Sequence, residues 1–349
     1  MSKELRDILD RVRNLEDKGS AVLATVVSLD GSGYRLPGAR MLIARDGSVI
    51  GTVSGGCLEA DLLERAQAVF DTGTPTVVTY DTRTKDDSVF SLNMGCNGVL
   101  RVLIEPIDGN ELFGLIEEVF RARKPVTVAT VITSDDPTHP IGEHITVGTD
   151  RADRQLPSAN VESFIEILRP PFHIFIFGAG FDAVPVVRLA KELGWHVTVV
   201  DHRPGYLDAK RLSHPDELLE LRPEQLTEHL NIEPNAAAVV MTHNFEHDRE
   251  ILAFLLTKNL AYIGALGPKK RTERILAELE ADGGEIDSDP VSKLHAPVGL
   301  DIGAQTPESI ALAIIAEIQA TIAGRDAGFL RNRQAPIYDR RSEVAEARA

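Results

Sequence analysis

The stretch Ile174-Phe175-Ile176-Phe177-Gly178-Ala179-Gly180-Phe181-Asp182-Ala183 decides the fold of the C-terminal half. An apolar run ends in Gly-x-Gly-x-x-Ala and gives way to a helical pattern. Gly178 permits a tight turn, Gly180 lets a phosphate approach the backbone, and the small Ala183 lets helix and strand pack closely. The start of the helix then offers N–H groups to an anion. A second strand, over residues 196–200, ends in Asp201, where an acid of this motif would meet a ribose hydroxyl. Arg203, two residues on, could face a phosphate or pair with that acid.

Strand and helix patterns keep alternating outward from this motif. Strands are predicted at 173–178, 196–201, 236–241 and 261–264. Helices are predicted at 181–193, 223–230, 247–257, 269–280 and 306–323. Such alternation predicts a Rossmann-like, doubly wound parallel sheet over residues 170–325, followed by a loose charged tail at 326–349. Thr306-Pro307 reads as an N-cap with proline at the first helical position. His243 and His247 follow the strand at 236–241 with i, i+4 spacing. They could suit a metal, but no third ligand is evident, and a loop that caps the next helix explains them equally well. His243 is also a candidate cofactor contact, because ligands bind at this edge of a doubly wound sheet.

The first 165 residues read as a separate mixed α/β domain. Leu5, Ile8, Leu9, Val12 and Leu15 share one helical face over 4–17. Strands are predicted at 21–27, 39–44, 48–53, 76–80 and 98–105, with Asp46-Gly47 as a hairpin turn and a helix from Leu58 to about 70. The Ala-Thr-Val at 129–131 echoes Ala24-Thr25-Val26, which predicts that residues 110–148 return to the first domain's sheet. Residues 149–170, charged and polar, read as the linker between domains.

Three features of this half could carry chemistry. In Ser54-Gly55-Gly56-Cys57-Leu58-Glu59 a cysteine stands at a helix start. There the helix dipole and free N–H groups favour thiolate, the form that ligates a soft metal or carries sulfur. A small buried cysteine filling a helix-start pocket is the plain alternative. Cys96, in Gly95-Cys96-Asn97-Gly98, is a possible second thiol or part of an ordinary hairpin turn. Arg35 and Arg40 flank a glycine-containing loop that could clamp a phosphate or simply be solvated.

Composition narrows the function classes. With 53 Asp and Glu against 37 Lys and Arg, a formal net charge of −16 argues against nucleic acid or a membrane surface as partner. No apolar run is long enough to span a bilayer, and Met1-Ser2-Lys3-Glu4 opens no signal-peptide core. Two cysteines make no disulfide framework. These features together point to a cytoplasmic protein.

Taken together, the motifs resemble the XdhC/CoxI family of xanthine dehydrogenase accessory factors. The matching pieces are Arg35-Leu36-Pro37-Gly38-Ala39, Gly55-Gly56-Cys57-Leu58-Glu59, Gly95-Cys96-Asn97-Gly98, Gly178-Ala179-Gly180, Asp201-His202-Arg203, Thr242-His243 and Thr306-Pro307-Glu308. They run in order over nearly the whole chain. The resemblance implies a cytoplasmic, homodimeric and non-catalytic maturation factor. Such a protein binds the molybdenum cofactor (molybdopterin) as cargo while a cysteine desulfurase supplies sulfur, then delivers it to an apo molybdenum hydroxylase. On that basis Cys57 is the metal-proximal or sulfur-handling thiolate and Cys96 a second thiol. Gly55 and Gly56 lie at the cofactor, and Arg35 and Arg40 bind its phosphate. The alternative is an NAD(P)-dependent oxidoreductase working through Gly178, Gly180, Asp201 and Arg203. A scaffold with dead sites is a third class.

Overall fold

The computed structural model describes residues 3–81, 83, 98–147, 161–282, 291–335 and 337. These divide into two compact units, one ending at Pro170 and the other beginning at Pro171.

The first unit is built on β1 (Ala21–Gly31), which is long, apolar and central. It pairs antiparallel with β2 (Arg40–Ala44) on one side and β5 (Gly98–Pro106) on the other. Outside these lie β3 (Val49–Gly51) and β4 (Thr76–Asp81), in the order β3-β2-β1-β5-β4. Alternate residues of β1 face opposite sides. Val22, Ala24 and Val26 pack with Leu62, Ala66 and Val69 of α2 (Glu59–Thr72). Leu23 joins Ile8 and Leu9 of α1 (Lys3–Arg13) and Ile116 of α3 (Glu111–Ala122), which Asn110 caps by accepting from the Leu112 amide at 2.9 Å.

Residues 110–148 do not return to this sheet. β6 (Val126–Ser134) pairs antiparallel with β7 (His144–Val147) and β8 (Val161–Leu168) to form a second sheet of its own, ordered β7-β6-β8. Both edges of β1 are already taken by β2 and β5, so the echoed Ala-Thr-Val has no edge of β1 to join. β8 lies inside the stretch that reads as a polar linker. Its acids are paired across strands: Glu162 with Arg101 at 2.8 Å, and Glu166 with Arg40.

A buried polar layer links these sheets. Arg40 gives Nη2 to Glu166 and Nη1 to the Gly38 carbonyl at 3.0 Å, with side chains only 5% and 13% exposed for the ion pair. In a second link, His144 bridges Glu105 at 2.9 Å and Thr130 at 3.0 Å.

The second unit is a six-stranded parallel sheet ordered β11-β10-β9-β12-β13-β14. The strands are β9 (His173–Phe177), β10 (His196–Asp201), β11 (Glu217–Glu220), β12 (Ala237–Val240), β13 (Tyr262–Ala265) and β14 (Leu294–His295). Counting from β9, the order is 3-2-1-4-5-6, the Rossmann arrangement. α4 (Ala183–Glu192) and α8 (Pro307–Ile322) cover one face, through Val186, Val187, Ile314 and Ile318. α5 (Leu226–His229), α6 (Phe245–Leu255) and α7 (Lys269–Ala281) cover the other, through Leu226, Leu252, Leu255 and Ile275. The helix predicted at 223–230 is a 3-10 turn, Pro223–Gln225, running into the single turn of α5. No helix among the described residues is long and apolar enough to cross a membrane.

Removing one partner of the buried Arg40–Glu166 pair leaves an uncompensated charge. Arg40→Met is therefore expected to cost about 3–5 kcal/mol of stability in urea unfolding, and Arg40→Met/Glu166→Met is expected to recover most of it. Equal losses in the single and double variants would show that the cost comes from losing the pair itself and not from an uncompensated charge.

Candidate functional site

The loop from Thr52 to Leu58 carries the first candidate site, and its shape comes from one carboxylate. Glu59, the first residue of α2, turns back into the loop. Its Oε1 accepts from Thr52 Oγ1 at 2.5 Å and from the Ser54 amide at 3.0 Å. Its Oε2 accepts from Ser54 Oγ at 2.5 Å and from the amides of Gly56 at 2.9 Å and Leu58 at 3.1 Å. Burial works to raise the Glu59 pKa. Hydrogen bonds from the Ser54 and Thr52 hydroxyls and the Ser54 amide outweigh it and hold the carboxyl down to about 2.

This corrects the expected environment of Cys57. Leu58 is the N-cap of α2, so Cys57 stands one residue before the cap, and the loop amides that would favour a thiolate are given to Glu59. The alternative of a sealed cysteine is also wrong, because Cys57 is exposed. It borders an open cleft of about 400 Å³ whose apolar lining includes Leu29, Val53, Leu58 and Leu100, and Tyr34 and Arg35 line it as well. Gly55 is required here. It has φ +79°, and an added Cβ would sit 2.8 Å from the Tyr34 ring.

Of the two arginines read as a phosphate clamp, the structure brings only Arg35 to the cleft. Its Nη2 donates to Glu4 Oε2 at 2.5 Å, and Glu4 Oε1 accepts from the Thr52 amide at 3.1 Å, so α1 is tied to the same loop. Arg40 is buried against Glu166 and cannot serve a ligand in the cleft. Cys96 lies outside the described residues; Gly98, two positions on in sequence, lines the cleft. The roles of Glu4 and Glu59 were missed from the sequence. A glutamate just inside a helix start, preceded by Thr and Ser at positions −7 and −5, is the signal that could have found the second of them.

The second candidate is the crevice at the carboxyl ends of β9, β10 and β12, where the strand order reverses. Gly178, with φ +110°, lets these ends approach: an added Cβ would lie 2.6 Å from the Met241 carbonyl oxygen. At Gly180 an added Cβ would meet open space. Asp201 is buried and does not wait for a ribose. Its Oδ1 accepts from the Arg203 amide and Nε, each at 2.9 Å, and its Oδ2 accepts from the Ala179 amide and Arg203 Nη2, each at 2.7 Å. Burial again works to raise the pKa, and the bonds from Arg203 and Ala179 override it, giving about 2. Four donors occupy the roughly four lone-pair positions of a carboxylate. Arg203 thus pairs with the acid, its guanidinium lying 4.0 Å from the Tyr206 ring centre.

His243 has φ +60°, unusual for a side-chain-bearing residue, and its Nε2 bonds Asp182 Oδ2 at 3.0 Å. Asn244 caps α6 by accepting from the His247 amide at 3.1 Å. The capping explanation of this loop therefore holds. No group of three or more His, Cys, Asp or Glu among the described residues could hold a metal ion.

The combination of a Cys57 loop on an antiparallel sheet with a Rossmann unit defines the class. Residues 174–318 match the XdhC Rossmann domain, and residues 15–81 match the XdhC and CoxI family. The chain is 36% identical to a protein of Bacillus subtilis (strain 168) that is named as a probable xanthine dehydrogenase component, over 88% of this chain and 94% of that one. It is 22% identical to the molybdenum cofactor insertion chaperone PaoD of Escherichia coli (strain K12), over 85% of this chain and 82% of PaoD. A crystal structure described as a xanthine dehydrogenase from Bacillus halodurans superposes with a TM-score of 0.77 at 33% identity, covering 94% of this chain and 97% of that one. The chain belongs to the XdhC and CoxI family.

Glu59→Gln puts an NH₂ where one of the loop's acceptors stood. It is expected to speed hydrogen exchange of the Ser54, Gly56 and Leu58 amides at neutral pH. In the native protein the same opening is expected as pH falls from about 4.5 toward 2. The folded carboxyl titrates below its unfolded counterpart, so its contribution is complete above the unfolded pKa and is lost on acidification. Unchanged exchange in Glu59→Gln would remove the clamp from the account.

Proposed function

We propose that this protein is a maturation factor for a molybdenum hydroxylase of the xanthine or carbon monoxide dehydrogenase type, holding the molybdenum cofactor as cargo in the Cys57 cleft. Family membership supports a maturation role, as does likeness to a relative named as a molybdenum cofactor insertion chaperone. The observation that carries the site assignment is the exposed Cys57 thiol at the rim of the cleft.

The lining fits such a cargo. Leu29, Val53, Leu58 and Leu100 offer an apolar surface to a flat pterin, Tyr34 offers a ring, and the Cys57 sulfur is a soft donor for molybdenum. Arg35 supplies the cation. A phosphate in the cleft competes with Glu4 for its guanidinium, exchanging one charge-assisted bond for another. Binding metal to the thiol releases its proton. In this reading Cys57 and Arg35 would hold the cofactor while a cysteine desulfurase serves as the sulfur donor, with Cys96 as a second thiol.

Purified protein is expected to bind isolated molybdenum cofactor, and Cys57→Ala to weaken that binding by at least about tenfold, or ~1.4 kcal/mol. Arg35→Met is expected to weaken it less and to flatten its salt dependence. Binding that is equal in the native protein and Cys57→Ala would overturn the assignment.

A further inference from the structure

The outer face of α8 and the segment that follows it have the wrong composition for a surface that meets only water. We propose that they form the surface through which two copies of this chain associate, the segment after α8 of each copy lying on the body of the other. The proposal concerns the second unit and does not depend on the cofactor reading of Cys57.

α8 is apolar almost all the way round. Ile314 and Ile318 are buried against the sheet. On the opposite side Glu308, Leu312, Ala316 and Gln319 recur at the spacing of a single helical stripe, which Ala323 extends just past the last turn. Past Glu308 this stripe holds no charge. The helix's other acid, Glu317, is turned inward, accepting from the Tyr262 hydroxyl at 2.5 Å and the Gly299 amide at 2.8 Å. A surface helix of a globular protein carries charged and polar residues on its outer face. Here Leu312 is 52% exposed instead, and Ile302 is exposed beside it, in the loop whose Leu300 amide donates to the Ala313 carbonyl at 3.2 Å.

The chain leaves α8 through Gly324 and Arg325, whose amides bond back to Thr321 and Ala320 at 3.1 and 2.8 Å. Residues 326–332 are then all exposed, and they lie past the stretch that matches the XdhC Rossmann domain. They nevertheless hold a shape, which lowers the cost of ordering them on a partner. Leu330–Asn332 form a 3-10 turn, the Asn332 amide donates to the Phe329 carbonyl at 2.9 Å, and the Arg331 guanidinium lies 4.6 Å from the Phe329 ring centre. Phe329 and Leu330 are 70% and 66% exposed.

Area and charge identify the occupant. Ile302, Leu312, Ile322, Phe329 and Leu330 are all exposed, and together they present on the order of 500 Å² of apolar side chain. A standard interface takes about 800 Å² from each partner, about 65% of it apolar in homodimers, so the patch has the size that a second copy needs. With Arg325, Arg331 and Arg333 against Asp326, residues 325–335 carry a net +2 in a chain of −16. The uncharged helix face lets two acidic bodies meet without setting like charges against each other, and the basic segment of each then reaches carboxylates of the other. In an isologous contact each of these features is used twice.

Sedimentation velocity on the full chain, from roughly 1 to 100 μM, tests this. The native chain is expected at twice the mass of one copy. Leu312→Glu sets like charges against each other across the contact and is expected to weaken association at least about a hundredfold. Phe329→Ser/Leu330→Ser is expected to weaken it at least about tenfold, and Arg331→Glu to weaken it and flatten its salt dependence. Val49→Glu, at an exposed apolar position of the first unit, is expected to leave the dimer intact. Phe329 and Leu330 lie outside the core, so the double serine variant tests the surface even where Leu312→Glu disturbs α8. A native chain that stays monomeric, a dimer unchanged in the double serine variant or in folded Leu312→Glu, or a Val49→Glu chain that dissociates as readily as Leu312→Glu would each overturn the proposal.

Discussion

Glu59 turns its carboxylate back toward the chain that leads into it, and the position of Cys57 follows from that one group. Between the end of β3 and the start of α2 the chain has a short stretch that includes Gly55 and Gly56, with little intrinsic preference for any one shape. Two hydroxyls and three amides converge on Glu59 and remove that freedom. The same contacts satisfy N–H groups that a helix start would otherwise leave without acceptors. Leu58 is drawn into the core and Cys57 is left facing outward beside the cleft. Glu4 adds a second tie, linking α1 to both Thr52 and Arg35.

A similar economy governs the second unit. The Gly-Ala-Gly loop and the acid at the end of β10 are present as the motif requires, yet the acid accepts from the loop's own amide and from Arg203. In both units, then, a position that reads as an open anion seat is filled by a carboxylate of the chain. Glu59 and Asp201 are each held ionised by donors that a ligand could have used. For a strongly acidic chain this is a consistent solution: internal carboxylates complete the loops, and the surfaces beside them are left for chemistry that does not rest on anion binding alone.

What could be read in the sequence follows how local each signal is. β9, β10, β12 and β13 are short apolar runs between turns, and the alternation that predicts a Rossmann-like sheet is found. β11, Glu217-Leu218-Leu219-Glu220, is an edge strand with too little apolar content to announce itself. β8 was hidden by its acids, which read as linker residues because Arg101 and Arg40 lie 61 and 126 positions away. The same distance made Arg40 look like a loop cation free to take a phosphate. Cys57 reads as a helix-start residue but lies one position before the cap, and the fate of the loop amides depends on how one glutamate side chain turns, which no periodicity encodes.

In the proposed role, that turn of Glu59 has a functional sense. A thiol placed in a helix's anion seat is stabilised by the protein whether or not cargo is present, which suits a nucleophile that must react. A carrier has a different need: its grip has to come from the cargo and disappear when the cargo finds a better ligand. With the loop amides given to Glu59, the charge developed on the Cys57 sulfur has to be met chiefly by the bound metal, and the phosphate end by Arg35, which has Glu4 to return to. Each contact to the cofactor then has a partner waiting on release: a proton for the sulfur and a carboxylate for the guanidinium. Binding is in this way an exchange rather than a net gain of bonds, and transfer to a client meets no deep well.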